Sequence, residues 1–210
     1  MKLLLIRHGM TLGNQQKKYI GITDDVLSGE GKKQVCILRE HLYQNSDISK
    51  LLEKTYAVIS PMKRCVETAR LLGVGQAVDG ESECKTWVLE EDLRECNFGL
   101  FENKNYLELK DEPLYQQWID SNGTMDFPEG DCLLKWKERC VKAFLYHLNK
   151  AQKQGFEQMI FVIHGGSIMA IMERLEEKQL GYYDYHVDNG DGFFCEYVGS
   201  RICSSRKLLC

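Results

Sequence analysis

The sequence predicts an α/β fold around a mostly parallel sheet. Three apolar runs carry the prediction: Leu3-Leu4-Leu5-Ile6, Tyr56-Ala57-Val58-Ile59 and Met159-Ile160-Phe161-Val162-Ile163. They are too short for buried helices and lack polar alternation, as expected of strands covered on both faces. Each ends abruptly, at His8-Gly9, Ser60-Pro61 and His164-Gly165-Gly166, and a helical pattern follows each. In such sheets ligands bind beyond the carboxyl ends of the strands.

Along the chain, the first strand stops at Gly9 and residues Gly13 to Gly29, rich in Gly, Asn, Gln, Lys and Thr, read as a long loop over the strand end. Ser28 caps a helix with Val35, Leu38 and Leu42 on one face, fading near Asn45. The Tyr56 strand leads into a helix from Met62 to Leu72, which places Arg64 at a helix start; Gly73-Val74-Gly75 reads as its stop. A third strand is expected near Thr86 to Leu89, before the loop Leu93-Arg94-Glu95-Cys96-Asn97-Phe98-Gly99. Short helical pieces span Asn103 to Asn122, and the turn Phe127-Pro128-Glu129-Gly130 precedes a long amphipathic helix with Leu133, Trp136, Cys140, Phe144 and Leu148 as its apolar stripe. The Met159 strand runs into a helix from Ser167 to Leu175. Asn189-Gly190 marks a turn before closing strands at Phe193 to Val198 and Arg201 to Leu209.

At 210 residues the chain reads as a single domain, residues 1–210, with a substantial core. Its net charge of -4 argues against a nucleic-acid partner held by bulk electrostatics. No apolar stretch approaches membrane-spanning length, and Arg7 cuts the first run well short of a signal-peptide core, so no membrane partner is expected. Nine cysteines, an odd number without a C-x-x-C pair, read as small buried hydrophobes in a reducing cytoplasm.

Arg7-His8, Arg64, Glu95 and His164 each lie at or just past a predicted strand end, and in a parallel sheet those ends converge. Guanidinium groups suit phosphate, giving bidentate hydrogen bonds and permanent charge. A neutral imidazole is a good nucleophile toward phosphorus, with a backbone carbonyl able to hold the proton of its other nitrogen; His8 fits that task. A departing alkoxide needs a proton, and Glu95, held partly protonated by anionic surroundings, fits that one. Neither His8 nor His164 sits in a ligand-spaced motif, and two arginines would repel a cation, so no metal is expected. His41, His147 and His186 read as surface or packing residues.

In order, Leu5-Ile6-Arg7-His8-Gly9 with Thr11 and Asn14, Gly21, Thr23-Asp24, Leu27-Ser28 and Gly31, Ser60-Pro61 with Lys63-Arg64, Thr68-Ala69, Leu93 with Glu95, Phe98-Gly99 and His164-Gly165-Gly166 resemble the histidine phosphatase superfamily, in its phosphoglycerate mutase-like branch. The resemblance spans nearly the whole chain. It implies a three-layer αβα sandwich, a phosphohistidine on His8, phosphate held by Arg7, Arg64 and His164, and proton transfer by Glu95. It also implies that Asn14, Thr23 through its backbone, and Gly165 border the substrate. Three positions depart from the pattern: Met10 replaces a common acidic residue, Asn103 a common glycine, and Pro128 to Cys132 only approximates the usual turn.

The resemblance implies a metal-independent phosphomonoesterase acting on a small phosphorylated metabolite, with α-ribazole 5'-phosphate as one candidate. The alternative is a cofactor-dependent phosphoglycerate mutase, the only case in which a cofactor, 2,3-bisphosphoglycerate, is expected. The chain lacks the Arg- and Pro-rich insertion of the mutases resembled, and Phe98-Gly99-x-Phe101-Glu102 followed by Lys104 and Tyr106 looks more like the phosphatase branch. Two readings from other classes are a non-catalytic phosphate-binding module, which could dispense with His8 or Glu95, and a serine hydrolase using Ser167, which Met169 disfavours by replacing the second elbow glycine. The sequence leaves the oligomeric state open.

Overall fold

The structure, a computed structural model, describes residues 1–45, 48, 55–74 and 87–209. Its strands are β1 (Lys2–Arg7), β2 (Tyr56–Ile59), β3 (Trp87–Leu89), β4 (Gln158–Ile163), β5 (Gly192–Val198) and β6 (Arg201–Lys207), in one sheet ordered β3-β2-β4-β1-β5-β6. The first four in that order are parallel; β5 runs antiparallel to β1, and β6 to β5. The helices are α1 (Leu12–Gln15), α2 (Gly29–Gln44), α3 (Lys63–Leu72), α4 (Tyr106–Leu109), α5 (Pro113–Asp120), α6 (Leu133–Lys153) and α7 (Gly165–Leu175).

Strand periodicity sorts the core into two faces, because successive side chains point to opposite sides of the sheet. Leu3, Leu5, Val58, Phe161 and Ile163 pack with Phe144 and Leu148 of α6 and Ile168, Ile171 and Met172 of α7. Leu4, Ile6, Ala57, Ile59, Ile160 and Val162 pack with Val35, Leu38 and Leu42 of α2 and Cys65, Ala69 and Leu72 of α3. The result is helix, sheet and helix in three layers. A third apolar cluster, including Phe101, Tyr115, Phe127 and Trp136, ties the segment after β3 to the start of α6.

Local chemistry explains where elements begin and end. Ser28 accepts a hydrogen bond from the Gly31 N–H and starts α2, whereas Gly73, at φ 74°, stops α3 in the left-handed conformation that glycine adopts without strain. Two expectations are corrected. The predicted loop from Gly13 contains α1, nucleated by Thr11 and Asn14 bonding reciprocally to each other's backbone N–H. The last helix begins at Gly165 rather than Ser167, with His164 at its N-cap position. Thr86, expected in the third strand, and Gly75 lie outside the described residues.

Asn103 has φ 57°, a left-handed conformation that asparagine tolerates better than most residues and that fits a position where the resemblance leads one to expect glycine. Met10 acts through its backbone: its N–H donates to Gln34 Oε1 and its carbonyl accepts from Ser28. The seven described cysteines are free; Cys65, Cys96, Cys140 and Cys195 are buried as expected, but Cys36 and Cys203 are exposed and Cys132 is half-buried. His147 is a buried packing residue bonded to Glu90 and Tyr56, and His41 is exposed. Among the described residues no helix is long and apolar enough to cross a membrane.

Phe161 is fully buried on the central strand β4, its ring 4.7 Å from that of Phe144. Phe161→Ala is expected to lower unfolding free energy by about 3–5 kcal/mol through lost burial and a residual cavity. Urea denaturation checks this as a fall in midpoint at unchanged slope.

Candidate active site

β1 and β4 are neighbours, with Arg7 in register with Ile163, and the His8 N–H donates to the Ile163 carbonyl at 3.1 Å. Beyond that point the chain leaves β1 toward the α2 face and β4 toward the α7 face, opening a crevice at the carboxyl ends. His8 and His164 therefore sit side by side, their rings edge to face with centroids 5.3 Å apart. Arg64 enters from the first turn of α3 and Glu95 from the segment after β3.

The Arg64 guanidinium is fully buried. Its Nη1 donates to the Thr23 carbonyl at 2.8 Å, and its Nη2 to the carbonyls of Gly21 at 2.9 Å and Ile20 at 3.5 Å. Arg7 donates from Nη1 to the Val187 carbonyl at 2.7 Å and lies against Gly165, where even a Cβ would come within 3.1 Å of its Nε. Among the described residues neither arginine has a carboxylate within 4.0 Å, and both Nε–H groups are buried without an acceptor. A fully buried guanidinium and a half-buried one on the cavity lining, with no carboxylate in ion-pair range among the described residues, suit an oxyanion.

His8 is 4 % exposed, and its Nδ1 lies 2.8 Å from the Gly9 carbonyl. A carbonyl can only accept, so Nδ1 carries the proton and Nε2 keeps its lone pair. Burial, then the charges of Arg64 and Arg7, push the imidazole well below its usual pKa, leaving it neutral near pH 7. Glu95 moves the other way. Burial raises its carboxyl pKa against the opposing pull of the Cys96 N–H, both arginines and the Gly166 N–H. A Cβ on Gly166 would come within 3.0 Å of Glu95 Oε1 and 2.8 Å of the Trp136 ring, so only glycine lets the start of α7 approach the acid this closely.

A cavity of about 260 Å³ opens here, lined by Arg7, His8, Glu95, Asn14 and Gly165 of the expected residues. Arg64 and His164, both fully buried, stand behind that lining; His164 Nε2 is 2.8 Å from Ser60 Oγ, and burial followed by the Arg64 charge lowers its pKa. Thr23 is placed differently from the expectation. Its N–H and hydroxyl both donate to Glu102 Oε1 and its carbonyl serves Arg64, so it braces an arginine rather than bordering the cavity. Ser167 is buried inside α7, which removes the nucleophile-elbow geometry.

Several contributors escaped the sequence reading. Asn189 donates to both the His8 carbonyl and Asn14 Oδ1, each at 3.2 Å; its local sequence marks only a turn. Thr68 Oγ1 accepts from the Gly9 N–H and donates to the Arg64 carbonyl, joining two site segments. His186 is exposed yet lines the cavity, and no local pattern marks it.

The family model described as histidine phosphatase superfamily (branch 1) matches residues 3–201. Phosphoglycerate mutase-like protein 4 of Arabidopsis thaliana is 31% identical over 82% of this chain and 70% of its own length. Phosphoserine phosphatase 1 of Hydrogenobacter thermophilus is 28% identical over 78% of this chain and 70% of its own. The crystal structure of the α-ribazole phosphatase from Shigella flexneri superposes with a TM-score of 0.74 at 23% identity, covering 96% of this chain and 93% of that one, which is a likeness of fold.

An oxyanion held by these arginines should stabilise the folded state. At about 100 times its dissociation constant, inorganic phosphate is expected to add about 2.7 kcal/mol to the wild type, and under about 1 kcal/mol to Arg7→Met at the same concentration. Thermal unfolding in phosphate against chloride at matched ionic strength checks this, equal shifts counting against the site.

Proposed function

The chain belongs to the histidine phosphatase superfamily, and from that premise we propose that it is a phosphomonoesterase working through a phosphohistidine on His8, without metal or cofactor. The single observation that carries this reading is the His8 Nδ1 contact with the Gly9 carbonyl, which leaves the Nε2 lone pair free and so supports a nucleophilic role for this cavity-lining residue.

In the first step the Nε2 lone pair forms a bond to phosphorus as the ester P–O bond breaks in line. The electron pair leaves on the alcohol oxygen, which takes the Glu95 proton. Arg7, on the cavity lining, and the buried charge of Arg64 stabilise the equatorial oxygens. In the second step water attacks phosphorus, gives its proton to the Glu95 carboxylate, and the P–N pair returns to Nε2. The raised pKa of Glu95 suits an acid that must be reprotonated each turn.

The mutase reading shares the first step but must retain a second anionic group for transfer. Beyond Arg7 the cavity lining holds one further lysine or arginine among the described residues, Lys18, which is thin support for a bisphosphate and favours release to water. The substrate panel includes phosphoserine, 3-phosphoglycerate and α-ribazole 5'-phosphate, compounds suggested by the names of the relatives.

His8→Ala is expected to abolish hydrolysis of p-nitrophenyl phosphate, and wild-type protein quenched in turnover should carry an acid-labile, alkali-stable phosphoryl group on His8. Full activity in the variant sinks the assignment, and a requirement for 2,3-bisphosphoglycerate would move it to the mutase. Glu95→Gln should lower kcat/KM for an alkyl phosphate by about 10²–10⁴-fold and for p-nitrophenyl phosphate far less, because nitrophenolate leaves without a proton. The wild-type profile for the alkyl ester should fall as pH rises through the raised Glu95 pKa, since the protonated form is the active one; Glu95→Gln should lose that limb.

A further inference from the structure

We propose that the part of the cavity away from His8 is a subsite for an aromatic ring on the leaving alcohol, making the preferred substrates phosphomonoesters of ring-bearing alcohols rather than of small polyanionic ones. Turnover of such esters rests on the phosphatase reading above; binding of the ring does not.

The argument starts from side chains that the mechanism does not use. Apart from the groups assigned to the chemistry, the lining is dominated by Tyr19, Phe98, Trp118, Phe127, Trp136 and Tyr182, of which Trp136 and Tyr182 approach Gly166 beside Glu95. Tyr19, Phe98, Trp118 and Tyr182 remain half-exposed within the fold, so the protein itself leaves ring surface uncovered beside the reacting group. Large apolar surface held open in a concave site marks ligand contact.

These rings are also held in place. Tyr19 meets Phe98 edge to face at 5.4 Å and Trp118 at 6.0 Å, while Phe98 meets Phe127 at 5.0 Å and Trp118 meets Phe127 at 5.5 Å. Four rings from four chain segments fix one another's orientation, so little ordering remains to oppose ligand entry.

Charge points the same way. Lys18 is occupied with Asn103 Oδ1 at 3.4 Å, and His186, the lining histidine that the mechanism does not use, is exposed. A carboxylate or second phosphate on the leaving group would therefore meet mostly ring carbon and be poorly paid for its lost hydration.

The test compares benzyl phosphate with ethyl phosphate, alkyl esters whose alcohols differ little in leaving ability, and benzylphosphonate with methylphosphonate, which cannot be hydrolysed. On the wild type, kcat/KM should favour the benzyl ester by at least about tenfold, and calorimetric titration should show benzylphosphonate binding at least about tenfold tighter. Trp118→Ala should bring both ratios to within about twofold of one. Equal binding of the two phosphonates by the wild type overturns the subsite. Tighter benzylphosphonate binding with no hydrolysis of either ester sustains the subsite and overturns the phosphatase reading instead.

Discussion

The Arg64 guanidinium is kept out of water and Arg7 stands half-buried in the same site, neither with a carboxylate within 4.0 Å among the described residues, and much of the site follows from accommodating that charge. An isolated buried cation is costly unless hydrogen bonds and an opposing charge offset it. For Arg64 the carbonyls of Ile20, Gly21 and Thr23 supply the hydrogen bonds. The segment between α1 and α2 is thereby shaped around the arginine, and Glu102 locks it from the other side through Gly21 and Thr23. The opposing charge is what the proposed phosphate ester would supply, so the residues that shape the loop also suit the site to an anion.

That positive field acts on the two proposed proton-handling groups together with burial. For His8, burial and the arginines both disfavour protonation, and the Gly9 carbonyl selects the tautomer. For Glu95 they oppose each other: burial favours the neutral acid, while the arginines and backbone N–H groups favour the carboxylate, and burial prevails. The outcome is an imidazole held toward its neutral form beside a carboxyl whose pKa is raised, the arrangement that the proposed nucleophile and acid require. Close approach is a precondition, and Gly165 and Gly166 provide it by letting Arg7 and Glu95 lie against the start of α7.

The half of the cavity proposed to be catalytic was legible because its residues sit next to strong local signals. Arg7, His8 and His164 directly follow apolar runs, and Arg64 opens a helix behind one. The aromatic half was not, since Tyr19, Trp118, Trp136 and Tyr182 come from segments whose own patterns read as loop or packing, and only their convergence gives them a common surface. Thr23 illustrates the difference at one residue: its place in a motif is visible in the chain, but whether its backbone faces a substrate or an arginine depends on where Arg64 lands.

By itself the sequence determined the strand runs, the residues delivered to their carboxyl ends and the helices that follow them, because hydrophobic periodicity and capping act over a few neighbouring residues. The tertiary structure alone decided that β1 and β4 are adjacent, that Arg64 has three carbonyls but no carboxylate, that His8 is locked into one tautomer, and that Ser167 is buried within a helix. Pairing order, desolvation and hydrogen-bond partners depend on groups far apart in the chain, and no local pattern encodes which of them will meet.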